Sequence, residues 1–143
     1  MNMNYGYILF LLAVLTGCNT DDPNPPEALV IPMEIAHYHE DGTVEASITG
    51  SKDVTVRHHV KGKDVYVEVI VPGFTFSSPE QKTKKDGQGF LNLYLNNKKI
   101  DEIHQAAFIV KGLPTGKHTL KVELVHNDSS TYGIEREMDV EIP

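Results

Sequence analysis

From Leu29 to Ile142 apolar residues return at almost every second position, the period of a β-strand with one buried face. The clearest case sets Val65, Val67, Val69 and Val71 against Tyr66, Glu68 and Ile70. Leu29, Ile31, Met33 and Ile35 begin the series, and Pro32 assigns that strand to a sheet edge, because proline cannot donate to a ladder. After an Asp41-Gly42 turn come Val44, Ala46 and Ile48. Val54, Val56, His58 and Val60 then share one face, with Thr55, Arg57 and His59 on the other, and Lys61-Gly62-Lys63 turns the chain into the Val65 strand. Leu91, Leu93 and Leu95 oppose Phe90, Asn92 and Tyr94 and end at Asn96-Asn97, a pair suited to a type I′ turn. Residues 98–104 admit either a returning strand or one helical turn, and residues 106–110 read as extended. Leu113-Pro114-Thr115-Gly116 predicts a tight turn into a strand with Leu120, Val122 and Leu124 inward. The last strand points Met138, Val140 and Ile142 inward and Glu135, Glu137, Asp139 and Glu141 to solvent. Eight or nine short strands without a helical period predict an all-β domain, an antiparallel β-sandwich or, alternatively, an open β-barrel.

The longest irregular stretch is residues 72–89, with Phe74 and Phe76 at its start and Lys82, Lys84 and Lys85 further on. Two readings of it stay open. The rings belong to the core, or one of them stands exposed beside the lysines as a partner-binding patch. Long loops on rigid β scaffolds tend to carry recognition, so this loop is the candidate contact surface.

Ahead of the strands the chain is of another kind. Residues 7–15 are apolar and too few to span a bilayer, and they end at Leu15-Thr16-Gly17-Cys18, which holds the sole cysteine. Residues 19–27 contain Asp21, Asp22, Pro23, Pro25 and Pro26 and no apolar residue, a tether reaching about 25–30 Å when extended. The division is therefore 1–17 export signal, 18–28 tether, 29–143 folded domain. The four residues at 15–18 resemble the lipobox of bacterial lipoproteins. The resemblance implies a lipidated Cys18 as first residue of the mature chain, held on the extracytoplasmic face of the cell membrane. The stretch Met1-Asn2-Met3-Asn4 departs from that pattern in carrying no Lys or Arg. All 13 Lys and Arg and all 20 Asp and Glu follow residue 17, so the net charge of −7 belongs to the tether and domain and argues against a nucleic-acid partner.

A second resemblance covers residues 74–129. Leu113-Pro114-x-Gly116-x-His118-Thr119-Leu120-x-Val122-x-Leu124 is similar to the final hairpin of many secreted bacterial immunoglobulin-like domains. Together with Phe74-Thr75-Phe76-Ser77, Gly87-x-Gly89-x-Leu91-x-Leu93-Tyr94-x-Asn96 and Asn127-Asp128, it resembles a group of small exported bacterial β-sandwich domains of unassigned function. In that group the middle motif reads G-x-G-H-x-H-L-Y and the last N-D-H, which implies three histidines able to converge on a metal. Here Phe90, Asn92 and Ser129 stand at those positions, so the implied ligands are missing. Tyr94, Asn92, Asn127 and Asp128 remain as candidates to line a polar pocket.

Seven histidines in a small acidic domain invite a separate metal reading. His37 and His39 leave one face of a strand roughly 6.5–7 Å apart, a spacing that lets both imidazoles reach one Zn²⁺ or Cu²⁺ ion. His58 or His59 supplies a third donor, but not both, since a strand sends them to opposite faces. The plainer account makes His37-Tyr38-His39 a solvated strand end and His58 a core-face histidine. His118 and His126 lie eight residues apart and read as caps at the two ends of one strand. With Cys18 committed to lipid there is no thiol nucleophile, and no serine sits in a strand-to-helix elbow. The expectation is a non-enzymatic, cofactor-free, lipid-anchored binding or accessory module, with a metal-handling lipoprotein as the alternative.

Overall fold

A computed structural model describes residues 28–33, 44–46 and 54–143, the backbone alone at 44–46. Ten strands form among them: β1 (Leu29–Pro32), β2 (Val44–Ala46), β3 (Thr55–Lys61), β4 (Asp64–Ile70), β5 (Thr75–Phe76), β6 (Gln88–Leu95), β7 (Lys98–Ile103), β8 (Ala107–Lys111), β9 (Gly116–Val125) and β10 (Thr131–Ile142). No helix occurs among the described residues.

One sheet runs β1-β8-β4-β3-β2, antiparallel throughout. β1 lies at its edge, where Pro32 belongs. The other runs β10-β9-β6, antiparallel, and the far edge of β6 carries β7 and then the two-residue β5. β5 pairs with Gln88 and Gly89 in parallel, a mixed feature the antiparallel expectation lacked.

Valines of the first sheet and the Leu91, Leu120 and Met138 rows of the second interlock in one buried cluster. Each fully buried Val, Leu or Met contributes about 1.5–3 kcal/mol, so a one-residue slip that turned a strand's inner set outward is strongly disfavoured. Among the described residues no ladder joins the two sheets, so they do not close into a barrel.

Asn96 and Asn97 take φ of 49° and 68° between the paired Leu95 and Lys98, the type I′ geometry their side chains tolerate. That turn returns residues 98–103 as strand β7 and settles the strand-or-helix alternative. The expected tight turn at 113–116 is instead a crossing from β8 in one sheet to β9 in the other. Leu113 is fully buried there, its amide donating to the Lys63 carbonyl at 2.9 Å.

The topology gives the domain two poles. Leu29, where the chain enters, lies opposite Lys111 at the pole holding the β3–β4 turn and the 112–116 crossing. Residues 71–87 and the β9–β10 turn occupy the other pole.

Candidate functional site

The loop between β4 and β6 is held down along its length. Its first turn closes with the Phe74 amide on the Val71 carbonyl at 3.1 Å. The amides of Thr75 and Ser77 then bond the carbonyls of Gly87 and Gly89, each at 2.8 Å. Further along, three side chains from the body hold loop carbonyls. His104 Nδ1–H donates to Ser77 at 2.7 Å, Asn127 Nδ2 to Thr83 at 3.0 Å, and the Tyr132 hydroxyl to Gln88 at 2.8 Å and Lys85 at 3.3 Å.

Under the loop lies an aromatic layer. Phe74 meets Phe76 edge-on at 5.2 Å and Tyr132 at 5.8 Å. His126 stacks on Tyr132 at 3.5 Å between centroids, and Phe90 on His104 at 4.8 Å. Phe90 and Val125 face outward from their sheet yet are buried, and both stand apart from the main core cluster. Phe90 is covered by the His104 ring, whose Nδ1 holds the loop at Ser77. Ser77, His126 and Asn127 are buried here too, and Ser77 Oγ, His126 Nδ1 and Asn127 Oδ1 have no hydrogen-bond partner among the described residues. Burial holds the Tyr132 hydroxyl above the ordinary tyrosine range. That keeps it protonated and able to donate.

Gly89 makes the close approach possible. A Cβ there would lie 1.8 Å from the Val125 carbonyl oxygen, so only glycine lets the start of β6 lie against the end of β9.

On its solvent side the loop shows Lys82, Lys84 and Lys85, all exposed. Phe74 and Phe76 instead pack against the core, half-buried. That packing is what the core reading of the two phenylalanines expects, and both rings keep part of their surface exposed. Acidic neighbours accompany the lysines: Glu80 is held below the usual carboxylate range by Ser78, and Asp128 by Ser130.

The polar-pocket candidates separate. Asn92 Nδ2 and the Tyr94 hydroxyl both donate to Glu123 Oε2, at 3.2 and 2.9 Å, and Lys121 lies 4.7 Å from the Tyr94 ring centroid. Burial opposes the Glu123 charge, but the bonds from Tyr94, Asn92 and Thr131 and the nearby Lys121 outweigh it and lower that carboxyl. The bond to Glu123 raises Tyr94 in return. Asn127 lies under the loop, while Asp128 is exposed and caps the β9–β10 turn through the Ser130 amide and hydroxyl at 3.0 and 2.6 Å. At the positions of the implied histidines, Phe90 is stacked, Asn92 is bonded, and Ser129 is exposed at φ 67° in that turn.

Cys18, His37 and His39 lie outside the described residues. His58 and His59 fall on opposite faces of β3, as the strand period requires. His58 is half-buried on the core side, with Nδ1 lacking a partner among the described residues, and burial followed by the neighbouring His59 lowers its pKa. The His59 ring stands 6.3 Å from that of Tyr66. Among the described residues no group of three or more His, Cys, Asp or Glu could hold a metal ion. His118 is bonded between Asn96 and the Pro114 carbonyl at the entry pole, and His126 lies at the opposite end of β9. His104, silent in the sequence, holds the loop.

Comparison with protein-family models, curated proteins and solved structures finds no match for this chain.

Proposed function

We propose that this chain is a lipid-anchored, extracytoplasmic binding or accessory module of the immunoglobulin-like kind, without enzymatic activity. Anchoring follows from Leu15-Thr16-Gly17-Cys18 and the Pro-rich stretch after it. The observation that carries the binding reading is the loop at the far pole, fixed by His104, Asn127 and Tyr132 while its lysines face solvent. A loop ordered in advance loses little entropy on binding, the general basis of recognition by loops on β scaffolds. Reversing Lys82, Lys84 and Lys85 to Glu tests the assignment: capture of the protein's partners from the host envelope should weaken, and unchanged capture would remove the loop from the account.

One observation favours a second reading, Zn²⁺ or Cu²⁺ held by His37, His39 and His58. The His58 Nδ1 is buried without a partner among the described residues, and its lowered pKa keeps the ring in the neutral form a metal needs. Calorimetric titration of the protein with each ion decides it. Binding tighter than about 10 µM that is lost in His37→Ala/His39→Ala supports the metal reading, and anything weaker rejects it.

A further inference from the structure

Along one side of the sandwich two edge strands face each other, β1 of the first sheet and β7 of the second. Between them lies a cleft of about 170 Å³. Its apolar lining is continuous with the interior, because Ile103 and Phe108 are buried members of the main core cluster and Val30 packs against that cluster. Asp101 stands at the mouth. It lies directly across from the fully buried Leu93, so the strand period turns it to the inner side of β7 together with Ile103 rather than to the outer face. No Lys or Arg lines the cleft. The second carboxylate of the lining, Glu102, is matched by Lys99 Nζ at 2.8 Å, and Lys82 acts on it from the loop. His104 is engaged by the Ser77 carbonyl and the Phe90 ring. Asp101 accepts the Glu102 amide at 2.8 Å and makes no ion pair among the described residues.

We propose that this cleft holds a small organic cation, an ammonium or guanidinium group on a hydrocarbon body of about six to eight heavy atoms. Asp101 meets the charge, and Val30, Ile103 and Phe108 meet the body. An apolar cavity of about 150 Å³ accommodates benzene, so the volume here suits a body of that size. The sign of the charge follows from Asp101, since an anion would confront an unmatched carboxylate beside a hydrocarbon wall, where the repulsion is screened less than in open water. A neutral ligand would draw no attraction from that charge. An inorganic cation would gain nothing from Ile103 and Phe108, so the carboxylate and the apolar wall together select an organic one. The site stands whether or not the loop lysines bind a partner, and it needs no membrane.

Benzylammonium is the probe, with benzyl alcohol and benzoate as its neutral and anionic matches in shape. Each is titrated into the full chain while the methyl resonances of Val30 and Ile103 are followed by NMR. Benzylammonium should shift both saturably in the millimolar range, about tenfold more tightly than benzyl alcohol, and benzoate should leave them unmoved. Asp101→Asn keeps the oxygen that accepts the Glu102 amide and removes only the charge. In that variant, with its urea midpoint unchanged, the preference for the cation should disappear. Absence of a saturable shift in the folded wild type, equal binding of the three compounds, or a preference that survives Asp101→Asn overturns the proposal. Binding of a lysine-containing peptide in place of the free amine would assign the cleft to a protein partner and overturns it as well.

Discussion

Gly89→Ala is the sharpest perturbation of the packing that holds the loop. The added Cβ would lie 1.8 Å from the Val125 carbonyl oxygen, 2.9 Å from its carbonyl carbon and 3.1 Å from the His126 Cα. All three are backbone atoms, so no side-chain rotation relieves the contact. Ordinary contact begins at 3.4 Å, so β6 and β9 must part locally by about 3.4 − 1.8 = 1.6 Å. A ladder bond near 2.9 Å stretched by that amount is no longer a hydrogen bond. Overpacking of this kind costs about 1–3 kcal/mol and a lost backbone bond about 0.5–1.5 kcal/mol, for a total of roughly 2–4 kcal/mol. Urea unfolding measures the loss directly, and an unchanged slope would place the effect in the folded state. Gly62→Ala is the control: its φ is 60° but nothing lies within 4 Å of the added Cβ, so conformational strain of about 1–2 kcal/mol acts alone. Gly89→Ala should also raise amide exchange across residues 77–87. A Gly89→Ala protein within about 0.5 kcal/mol of wild type would refute the close approach on which the loop account depends.

Further outcomes follow from single groups. Tyr132→Phe removes the hydroxyl that donates to Gln88 and Lys85, which should cost about 1 kcal/mol and speed proteolysis within residues 77–87 while the core stays intact. His58 has a lowered pKa in the fold, so the unfolded chain takes up its proton first as pH falls. Stability should therefore decline as pH drops below about 6.5 and level off below the folded-state value, and His58→Gln should flatten that part of a urea-midpoint profile. Glu123 has a lowered carboxyl, so its contribution is present above its unfolded value near 4.5 and lost as pH falls through the folded one. Carbon-detected titration should show Glu123 moving to higher pH in Tyr94→Phe, and an unmoved titration would remove that hydrogen bond from the account.

How legible these features were depended on distance along the chain. Period-2 alternation is local, so β4, β9 and the inward Met138, Val140 and Ile142 stand in the structure as the sequence implies. Pro32 at an edge and Asn96-Asn97 at a type I′ turn were readable for the same reason, since each acts through its own backbone. What depends on partners far along the chain was hidden. Leu113-Pro114-Thr115-Gly116 carries good turn residues whether it folds back or crosses between sheets, and only the burial of Leu113 against Lys63 distinguishes the two. Phe90 and Val125 occupy outward positions that alternation assigns to solvent, yet both are buried, Phe90 beneath the His104 ring. Ser77, on the loop itself, is buried where its amide pairs with Gly89 and its carbonyl with His104, partners far along the chain. His104 had no local signal, because its role arises only when β7 brings it to Phe90 and Ser77.

The central claim is a β domain held at a membrane by lipid on Cys18, and mass analysis of the N-terminal peptide from the natively produced protein tests it most directly. The account predicts a mature chain that begins at Cys18, carries acyl groups, and loses both the modification and its membrane retention in Cys18→Ser. An unmodified Cys18, in a peptide still joined to residues 7–15, would contradict it.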